Sequence, residues 1–416
     1  DKRNRFLLNG SLKYQITDWL NAEIKAGSDM YFTETETKLY AGSPSSENGR
    51  YSFGEQKFYE NNFSFLVTAQ KDRVLGDFGG VFTFGGNLME RKSTGVSNSV
   101  SALTVPDLFW LTNSTDSNRS ISQTYTHRKT NSLYGTLGVN YDGWAFLDLT
   151  GRNDWSSTLS KSNRSFFYPS VSLGWVFTEV EALKNDILTF GKIRGSYAEV
   201  GMAGEYVPSY YYTPSYGGGF FQGTPIMYPI NGNMAYIPYF VVYDPNLKPQ
   251  NTKSYELGAD LTFLNGLVSL NYTYSRQNVK DQIFEVPLAG STGASSMMMN
   301  GGKMHSNVHE ITLGISPVDT KNFKLDFAFN FSKIDNYVDE LAPGVESIML
   351  GGFVTPQVRA GIGDKFPVIY GVGYKRDGEG RIVVNEKGIP EAGETQVIGK
   401  VSPDFRLGFN TNIELY

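Results

Sequence analysis

Apolar and polar residues alternate along most of the chain, and the alternation has the period of β-strands. Between Tyr255 and Phe331 it predicts four strands in two hairpins. In the last of them, the odd-numbered positions from Phe323 to Phe331 are aromatic or aliphatic and most of the positions between them are polar. Because successive side chains of a strand point to opposite faces, each such segment has one apolar face and one polar face.

The same pattern predicts about thirteen strands in consecutive hairpins over the whole chain. Tight turns are predicted at Thr17-Asp18, Asp72-Arg73, Asp142-Gly143, Asn265-Gly266 and 317–322. The long connections are predicted at about 38–56, 93–120, 201–250, 281–303 and 336–402. Short and long connections are thus expected to alternate strictly.

This alternation of short and long connections is typical of outer-membrane barrels, which have short periplasmic turns and long extracellular loops. A sandwich or a propeller gives no reason for such alternation. The predicted fold is therefore an all-β transmembrane antiparallel barrel, with residues 1–416 forming part of one barrel domain. An odd number of strands, with the chain opening on one strand and stopping within another, predicts an internal fragment of a longer precursor.

Composition narrows the function classes. The 45 glycines, 26 tyrosines and 28 phenylalanines among 416 residues favour strands and turns over helices. No run of about 18 uncharged apolar residues occurs, which excludes a transmembrane helix, and a mean hydropathy of −0.30 fits either a barrel or a soluble protein. With no cysteine, disulfides, thiolate metal sites and cysteine nucleophiles are excluded. A net charge of −5 without a basic stripe predicts no nucleic-acid partner.

Candidate catalytic and metal-binding chemistry is weak. His305 and His309 are four residues apart on a predicted strand without a metal-binding context, so solvated histidines are expected and no metal or cofactor is predicted. Gly151–Asp154 and Gly217–Gly219 contain no phosphate-binding pattern and are interpreted as flexible glycine-rich loops. The pair Asp339-Glu340 offers two carboxylates for glycoside hydrolysis, but no separation can be read from the sequence and loop carboxylates are usually just solvated. No enzyme is predicted.

The connection 201–250 differs from the others in its density of aromatic residues among glycine and proline. Such a long connection is either functional or disordered, and the aromatic content argues against disorder. Two interpretations stay open: stacking on sugars or on a partner protein, or mutual packing that closes the loop over the barrel mouth. The candidate ligand- or partner-binding residues are Tyr206, Tyr210, Tyr211, Tyr212, Tyr216, Phe220, Phe221, Tyr228, Tyr236, Tyr239 and Tyr243, with Phe240 beside them.

A second aromatic set lies near the ends of the predicted strands. Such residues suit the girdles that flank the apolar band of a membrane barrel, although ordinary strand aromatics would look the same one by one. The set comprises Tyr14, Trp19, Trp144, Trp155, Tyr168, Tyr272 and Tyr274.

Several motifs carry a family resemblance. Gly151–Leu159 (GRNDWSSTL), Phe166–Glu179 (FFYPSVSLGWVFTE) and Asp244–Gly258 (DPNLKPQNTKSYELG) resemble the barrel of SusC/RagA-type TonB-dependent transporters of Bacteroidetes. Ile193–Tyr197 and Ile398–Phe405 fit the same family in order and spacing. The resemblance covers nearly the whole chain.

The resemblance implies a barrel of about 22 strands when complete. The plug domain, the TonB box and the C-terminal strands of such a protein are not found in this chain. The implied location is the outer membrane of a Gram-negative bacterium, amid lipid and lipopolysaccharide. The implied function is active import of large nutrients, oligosaccharides or peptides, with a SusD-like lipoprotein and energy from TonB–ExbB–ExbD.

A dimer of importer–lipoprotein pairs is compatible with this resemblance. The polar faces would line a hydrated lumen. The residues expected to face it are Asn271, Thr273, Lys324, Asp326 and Asn330. Two alternatives are a barrel that only displays loops within a surface assembly, and a soluble glycan-binding β protein.

Overall fold

The computed structural model describes residues 1–44, 46–183, 185–204, 219–220, 224–225, 241–292, 296–352 and 355–415. The chain is built almost entirely of strands, with only single 3₁₀ turns at Asp116–Asn118, Phe177–Glu179, Glu181–Leu183, Leu264–Gly266 and Gly290–Thr292 in the described part. The strands are β1 Lys2–Thr17, β2 Leu20–Leu39, β3 Arg50–Leu75, β4 Phe78–Val100, β5 Arg119–Tyr141, β6 Ala145–Ser156, β7 Ser165–Val176, β8 Leu188–Met202, β9 Gly219–Phe220, β10 Thr224–Pro225, β11 Val241–Tyr243, β12 Gln250–Phe263, β13 Val268–Lys280, β14 Ile283–Pro287, β15 Ser296–Asn300, β16 Lys303–Asp319, β17 Phe323–Glu340, β18 Ser347–Gly352, β19 Gln357–Gly361, β20 Val368–Tyr374, β21 Ala392–Lys400 and β22 Arg406–Leu415. No helix in the described residues is long and apolar enough to span a membrane.

Thirteen of these strands form one sheet in the order β1 to β8, β12, β13, β16, β17 and β22. Each strand pairs antiparallel with the next one along this order, as expected for a wall made of successive hairpins. The remaining strands form smaller sheets within the long connections: β9 with β10, β11 with β14 and β15, and β18 to β21. The predicted all-β antiparallel architecture is confirmed.

The predicted turn between β5 and β6 has the geometry that its sequence favours. Asp142 and Gly143 both have positive φ values, 48° and 73°, and the Trp144 N–H donates to the Tyr141 carbonyl at 3.0 Å. Two successive left-handed residues make a turn whose twist matches that of the flanking strands, and Asp-Gly adopts it at little cost.

Two predicted turns lie at different residues. β3 continues through Asp72 and Arg73, and the reversal comes at 76–77. Pro317 belongs to β16, in the stretch where the pairing with β17 shifts between Ile315 and Val318. An irregularity of this kind accommodates a residue that has no N–H to donate to the ladder.

The strict alternation of connection lengths is wrong at one place. β6 ends at Ser156 and β7 begins at Ser165, which leaves eight residues on the long side, whereas 177–187 leaves eleven on the short side. The strands also extend further into the long connections than predicted. Above the apolar band both faces of a strand contact water, so the strand has no alternation of apolar and polar residues by which it could be predicted. The connections 281–303 and 336–402 contain strands of their own.

The thirteen-stranded sheet has an apolar face and a polar face. One row of the apolar face runs across five strands through Leu12, Ile24, Phe65, Gly86 and Leu133, which are successive partners in the register. In the described part of the chain no second layer covers this face, so Leu12 remains 65% exposed. An apolar surface of this extent is unfavourable in contact with water, and the hydrocarbon of a membrane provides an apolar environment for it.

Small buried cores lie in the long connections. Tyr51, Val100 and Leu103 form one of them, with Phe109 packed against it, so the connection between β4 and β5 folds back onto the upper ends of β3 and β4. Val338 at the end of β17 is buried, and its N–H donates to the Asp364 carbonyl at 3.1 Å. This bond anchors the β18–β21 sheet to the top of the wall.

Candidate functional site

The polar face carries a cluster centred on Arg152 of β6. The Arg152 Nε donates to Asp154 Oδ1 at 2.8 Å, and its Nη2 donates to Ser132 Oγ at 2.8 Å. The other carboxylate oxygen of Asp154 accepts a bond from the Tyr168 hydroxyl at 2.5 Å. The Tyr134 ring lies 5.6 Å from the Arg152 guanidinium carbon. With Asp154 only 8% exposed, this charge is stabilised by its partners rather than by bulk water.

A second cluster on the same face is centred on Arg194 of β8. Its guanidinium donates to Glu256 Oε1 and, at 2.6 Å, to Thr273 Oγ1, while Asp260 Oδ2 lies 3.5 Å from its Nε. The four residues come from three adjacent strands, β8, β12 and β13. The cluster therefore ties these strands together through side chains as well as through the backbone ladder.

Gly258 lets the Arg194 side chain cross β12. A Cβ at position 258 would lie 2.6 Å from the Arg194 Cζ and 2.7 Å from its Nε. Any larger residue at 258 therefore pushes the guanidinium away from its acceptors. Close approach of another group is a common reason for glycine inside a strand.

The five residues predicted to face a lumen all lie on the polar face. Asn271 donates to Asp260, Asn330 accepts from the Thr312 hydroxyl at 3.0 Å, and Lys324 lies 3.7 Å from Asp326. The Asp326 carboxylate also accepts from the Ser316 hydroxyl at 2.7 Å, and Thr273 belongs to the Arg194 cluster. This half of the wall is a ladder of polar side chains bonded to one another.

Most of the aromatic candidates of the 201–250 connection lie outside the described residues. Phe220 belongs to the short strand β9, and Tyr243 ends β11, which pairs in parallel with β15. The candidates outside the described residues are Tyr206, Tyr210, Tyr211, Tyr212, Tyr216, Phe221, Tyr228, Tyr236, Tyr239 and Phe240.

Two sequence interpretations need correction. The segment Gly151–Asp154 is not a flexible loop: it lies inside β6 and supplies the Arg152 cluster. Tyr168 is not a girdle residue, because its hydroxyl bonds to Asp154 on the polar face. Tyr14, by contrast, is 69% exposed on the apolar face near the short turn, where a girdle residue would sit.

Each of the three histidines lies beside one polar side chain, and His127 Nε2 lies 2.7 Å from Glu90 Oε1. His305 Nδ1 lies 2.8 Å from Asp339 Oδ1, and His309 Nδ1 lies 3.0 Å from the Tyr272 hydroxyl. Within the described ranges, no group of three or more His, Asp or Glu side chains has the arrangement of a metal site.

One ion pair fastens a folded connection to the wall, and a second lies within that connection. Lys365, which precedes β20, donates to Asp335 of β17 at 2.5 Å. This hydrogen bond raises the pKa of Lys365, so the lysine stays charged in neutral solution. At the other end of the same connection, Lys400 donates to Asp404 and lowers the pKa of that carboxyl.

Arg152, Asp154 and Arg194 lie inside motifs noted in the sequence, but the sequence did not predict that they form clusters. Alternation puts Arg152, Asp154, Arg194 and Glu256 on polar faces, but it does not say which of them meet. Arg194 and Glu256 are 62 positions apart, and only the register between β8 and β12 brings them together.

A family model provides the decisive comparison. The model described as "TonB dependent receptor-like, beta-barrel" matches residues 1–378. The chain belongs to this family. Receptor barrels of this family reside in the outer membrane, and this one is similar to the SusC and RagA-type members found in Bacteroidetes.

Two relatives and one solved structure describe the similarity. TonB-dependent receptor P3 of Formosa agariphila is 26% identical over 310 residues, which are 68% of this chain and 30% of the relative. TonB-dependent receptor SusC of Bacteroides thetaiotaomicron is 26% identical over 223 residues, 52% of this chain and 21% of the relative. The structure of the RagAB peptide transporter superposes with a TM-score of 0.81 at 17% identity, covering 99% of this chain and 46% of that one. The receptor barrel described here thus spans less than half the length of each of these three proteins.

Proposed function

We propose that this chain forms part of the wall of an importer that carries large polar nutrients, oligosaccharides or peptides, across the outer membrane. The observation that supports the proposal best is the pairing of an uncovered apolar face with a bonded polar face over thirteen strands. The apolar face meets lipid, and the polar face lines a hydrated lumen. Asn271, Thr273, Lys324, Asp326 and Asn330 are proposed to face that lumen, together with both arginine clusters.

The polar face suits the passage of a polar solute better than the tight binding of that solute. Arg152 and Arg194 already pair with carboxylates in the wall, so neither offers a free charge that would trap a charged solute. Hydroxyl and amide groups between them, such as Thr312 and Asn330, exchange hydrogen bonds with water or with a polar solute at little net cost. Energy from TonB–ExbB–ExbD, acting through a plug, would then gate the path.

A SusD-like lipoprotein is proposed to dock on the extracellular side. Val372, Tyr374 and Val397 of the β18–β21 sheet are 45%, 59% and 43% exposed although the sheet stands above the lipid band. Exposed apolar side chains in such a position suit a protein partner. Two importer–lipoprotein pairs are proposed to associate as a dimer.

The aromatic residues between Tyr206 and Tyr243 are proposed to hold the substrate or the lipoprotein at the mouth of the barrel. Flat rings stack on sugar faces and pack well in protein interfaces, and they lose little conformational entropy on binding. Their density along one connection supports this role.

Uptake by living cells tests the proposal. Cells that produce the complete protein and its lipoprotein should accumulate a fluorescent oligosaccharide or peptide from a labelled panel. Deletion of TonB should abolish that accumulation, because the proposed transport is energised. Accumulation of the same compound at an unchanged rate without TonB would show passive diffusion and contradict the proposal.

The same assay examines the aromatic connection. Replacing Tyr210, Tyr211 and Tyr212 by alanine should lower accumulation at limiting substrate while the barrel remains folded, as judged by heat-modifiable migration in gels. The matched control replaces Tyr14 by alanine, an exposed aromatic near a short turn. Equal accumulation in the triple variant and the control would contradict the binding role proposed for these aromatic residues.

A further inference from the structure

A groove of about 840 Å³ opens on the apolar face where β1 to β5 lie side by side. Small residues form its floor, among them Gly10 and Ala26, and a Cβ placed on Gly10 would meet no atom within 4 Å. Phe63 and Leu88 stand beside them as walls and are more than half exposed. The groove is therefore an open channel for a slender apolar group.

The groove lies at the upper edge of the apolar band. Ala26, Phe63 and Leu88 are successive partners across β2, β3 and β4. Two residues further toward the long connections, this face is polar on β3 and β4, where it carries Asn61 and Glu90, while the same row on β1 carries the exposed Leu8. A step of two residues along a strand is about 6.6 Å. Since the long connections of such barrels are extracellular, the groove opens into the outer leaflet.

Positive charge gathers directly above the groove on the same face. Lys129 Nζ lies 3.2 Å from Glu90 Oε1, and Lys92 Nζ lies 5.6 Å from the centre of the Tyr125 ring. Lys57 follows one row above Lys92. Among the residues with described positions, no carboxylate lies within ion-pair distance of Lys57 or Lys92.

These rows therefore hold three lysines and His127 against the single carboxylate of Glu90, whose Oε1 lies 2.7 Å from His127 Nε2 and 3.2 Å from Lys129 Nζ. The next carboxylates on this face, Glu34 and Glu55, pair with each other in the register one row beyond Lys57. Surface cations at the level of lipid headgroups attract anionic lipid.

We propose that this surface binds the lipid A end of a lipopolysaccharide molecule. One acyl chain lies in the groove over Gly10 and Ala26, and a phosphate of the glucosamine headgroup contacts Lys92 and Lys129. An ammonium group and a phosphate form charge-assisted hydrogen bonds that an uncharged sugar cannot replace. The spacing favours lipid A, because the apolar groove and the cationic rows are adjacent on one face of the outer leaflet. The inference concerns the lipid face and does not depend on the nutrient.

Native mass spectrometry of the complete protein tests this assignment. Protein purified in mild detergent is incubated with purified lipid A, and bound and free populations are counted. The wild type should retain one lipid A. Replacing Lys92 and Lys129 together by glutamine should weaken retention about thirtyfold, at roughly fivefold for each cation near the surface. Gly10→Leu should also lower retention by filling the groove.

Lys280→Gln serves as the matched control, because Lys280 is an exposed lysine at the upper end of β13, far along the sheet from β1 to β5. It should retain lipid A as the wild type does. Equal retention in the wild type, the double glutamine variant and Gly10→Leu would overturn the proposal. Equal retention of dephosphorylated lipid A, or of phosphatidylglycerol, would also overturn it, since the assigned contact is to the lipid A phosphate.

Discussion

Arginine in place of Phe327 is expected to destabilise the folded barrel by about 2–4 kcal/mol, the cost of a cation at the midplane of a membrane barrel. Phe327 is the central member of the five apolar residues that alternate along β17 from Phe323 to Phe331. At about 3.4 Å per residue and a strand tilt near 45°, it lies close to the middle of an apolar band about 25 Å tall. The substitution also removes the stacking of its ring on Phe409, whose centre is 6.0 Å away.

Urea titration of the complete protein in liposomes measures this cost. The matched control is Ala328→Arg, which puts the same side chain on the same strand but on the polar face, where Gly314 and Asn410 are its neighbours across the ladder. The control should change the free energy of unfolding by less than about 1 kcal/mol. An equal cost for both variants would mean that the two faces do not differ in environment.

Methionine in place of Arg152 is expected to destabilise the barrel by about 2 kcal/mol. The substitution leaves the Asp154 carboxylate, 8% exposed, with the Tyr168 hydroxyl as its remaining bonded partner. Loss of one partner of a fully buried ion pair costs more, about 3–5 kcal/mol. The estimate here is smaller because the Arg152 side chain is 34% exposed, and water on that side screens the remaining charge.

A double-mutant cycle isolates this effect from lost packing. Adding Asp154→Asn to Arg152→Met removes the unpaired charge, so the double variant should recover most of the lost stability. The same urea titration measures the free energy of unfolding of all four proteins of the cycle. Additive losses in the double variant would show that the two side chains do not depend on each other.

The sequence predicts the membrane part of the fold well because lipid imposes a strict rule. Phe327, Phe329 and Phe331 must be apolar while their neighbours need not be, and this alternation marks both the strand and its faces. This requirement applies only to residues that contact lipid. Beyond Phe63, β3 runs upward to Arg50 with polar residues on both faces, and nothing in the alternation marks that extension.

The candidate site is less accessible to sequence reasoning. Alternation places Arg152 and Arg194 on the polar side, but their partners depend on strand register over long separations. Gly258 carries no signal of its own in the sequence, and its role appears only when the Arg194 guanidinium is found crossing above it. The β18–β21 sheet was missed for a related reason, since its short strands with turns rich in glycine resemble an ordinary connection.

The assignment of the two faces supports the whole account, and spin-label accessibility tests it most directly. Single cysteines are introduced at Phe329 and Asn330, which are adjacent on β17 and lie on opposite faces. These 416 residues contain no cysteine, and any cysteine in the rest of the complete protein is replaced by serine beforehand. A nitroxide at Phe329→Cys should collide mainly with oxygen dissolved in lipid, and one at Asn330→Cys mainly with a water-soluble nickel complex. Equal accessibility to both relaxing agents at the two sites, or the reverse preference, would contradict the barrel wall described here.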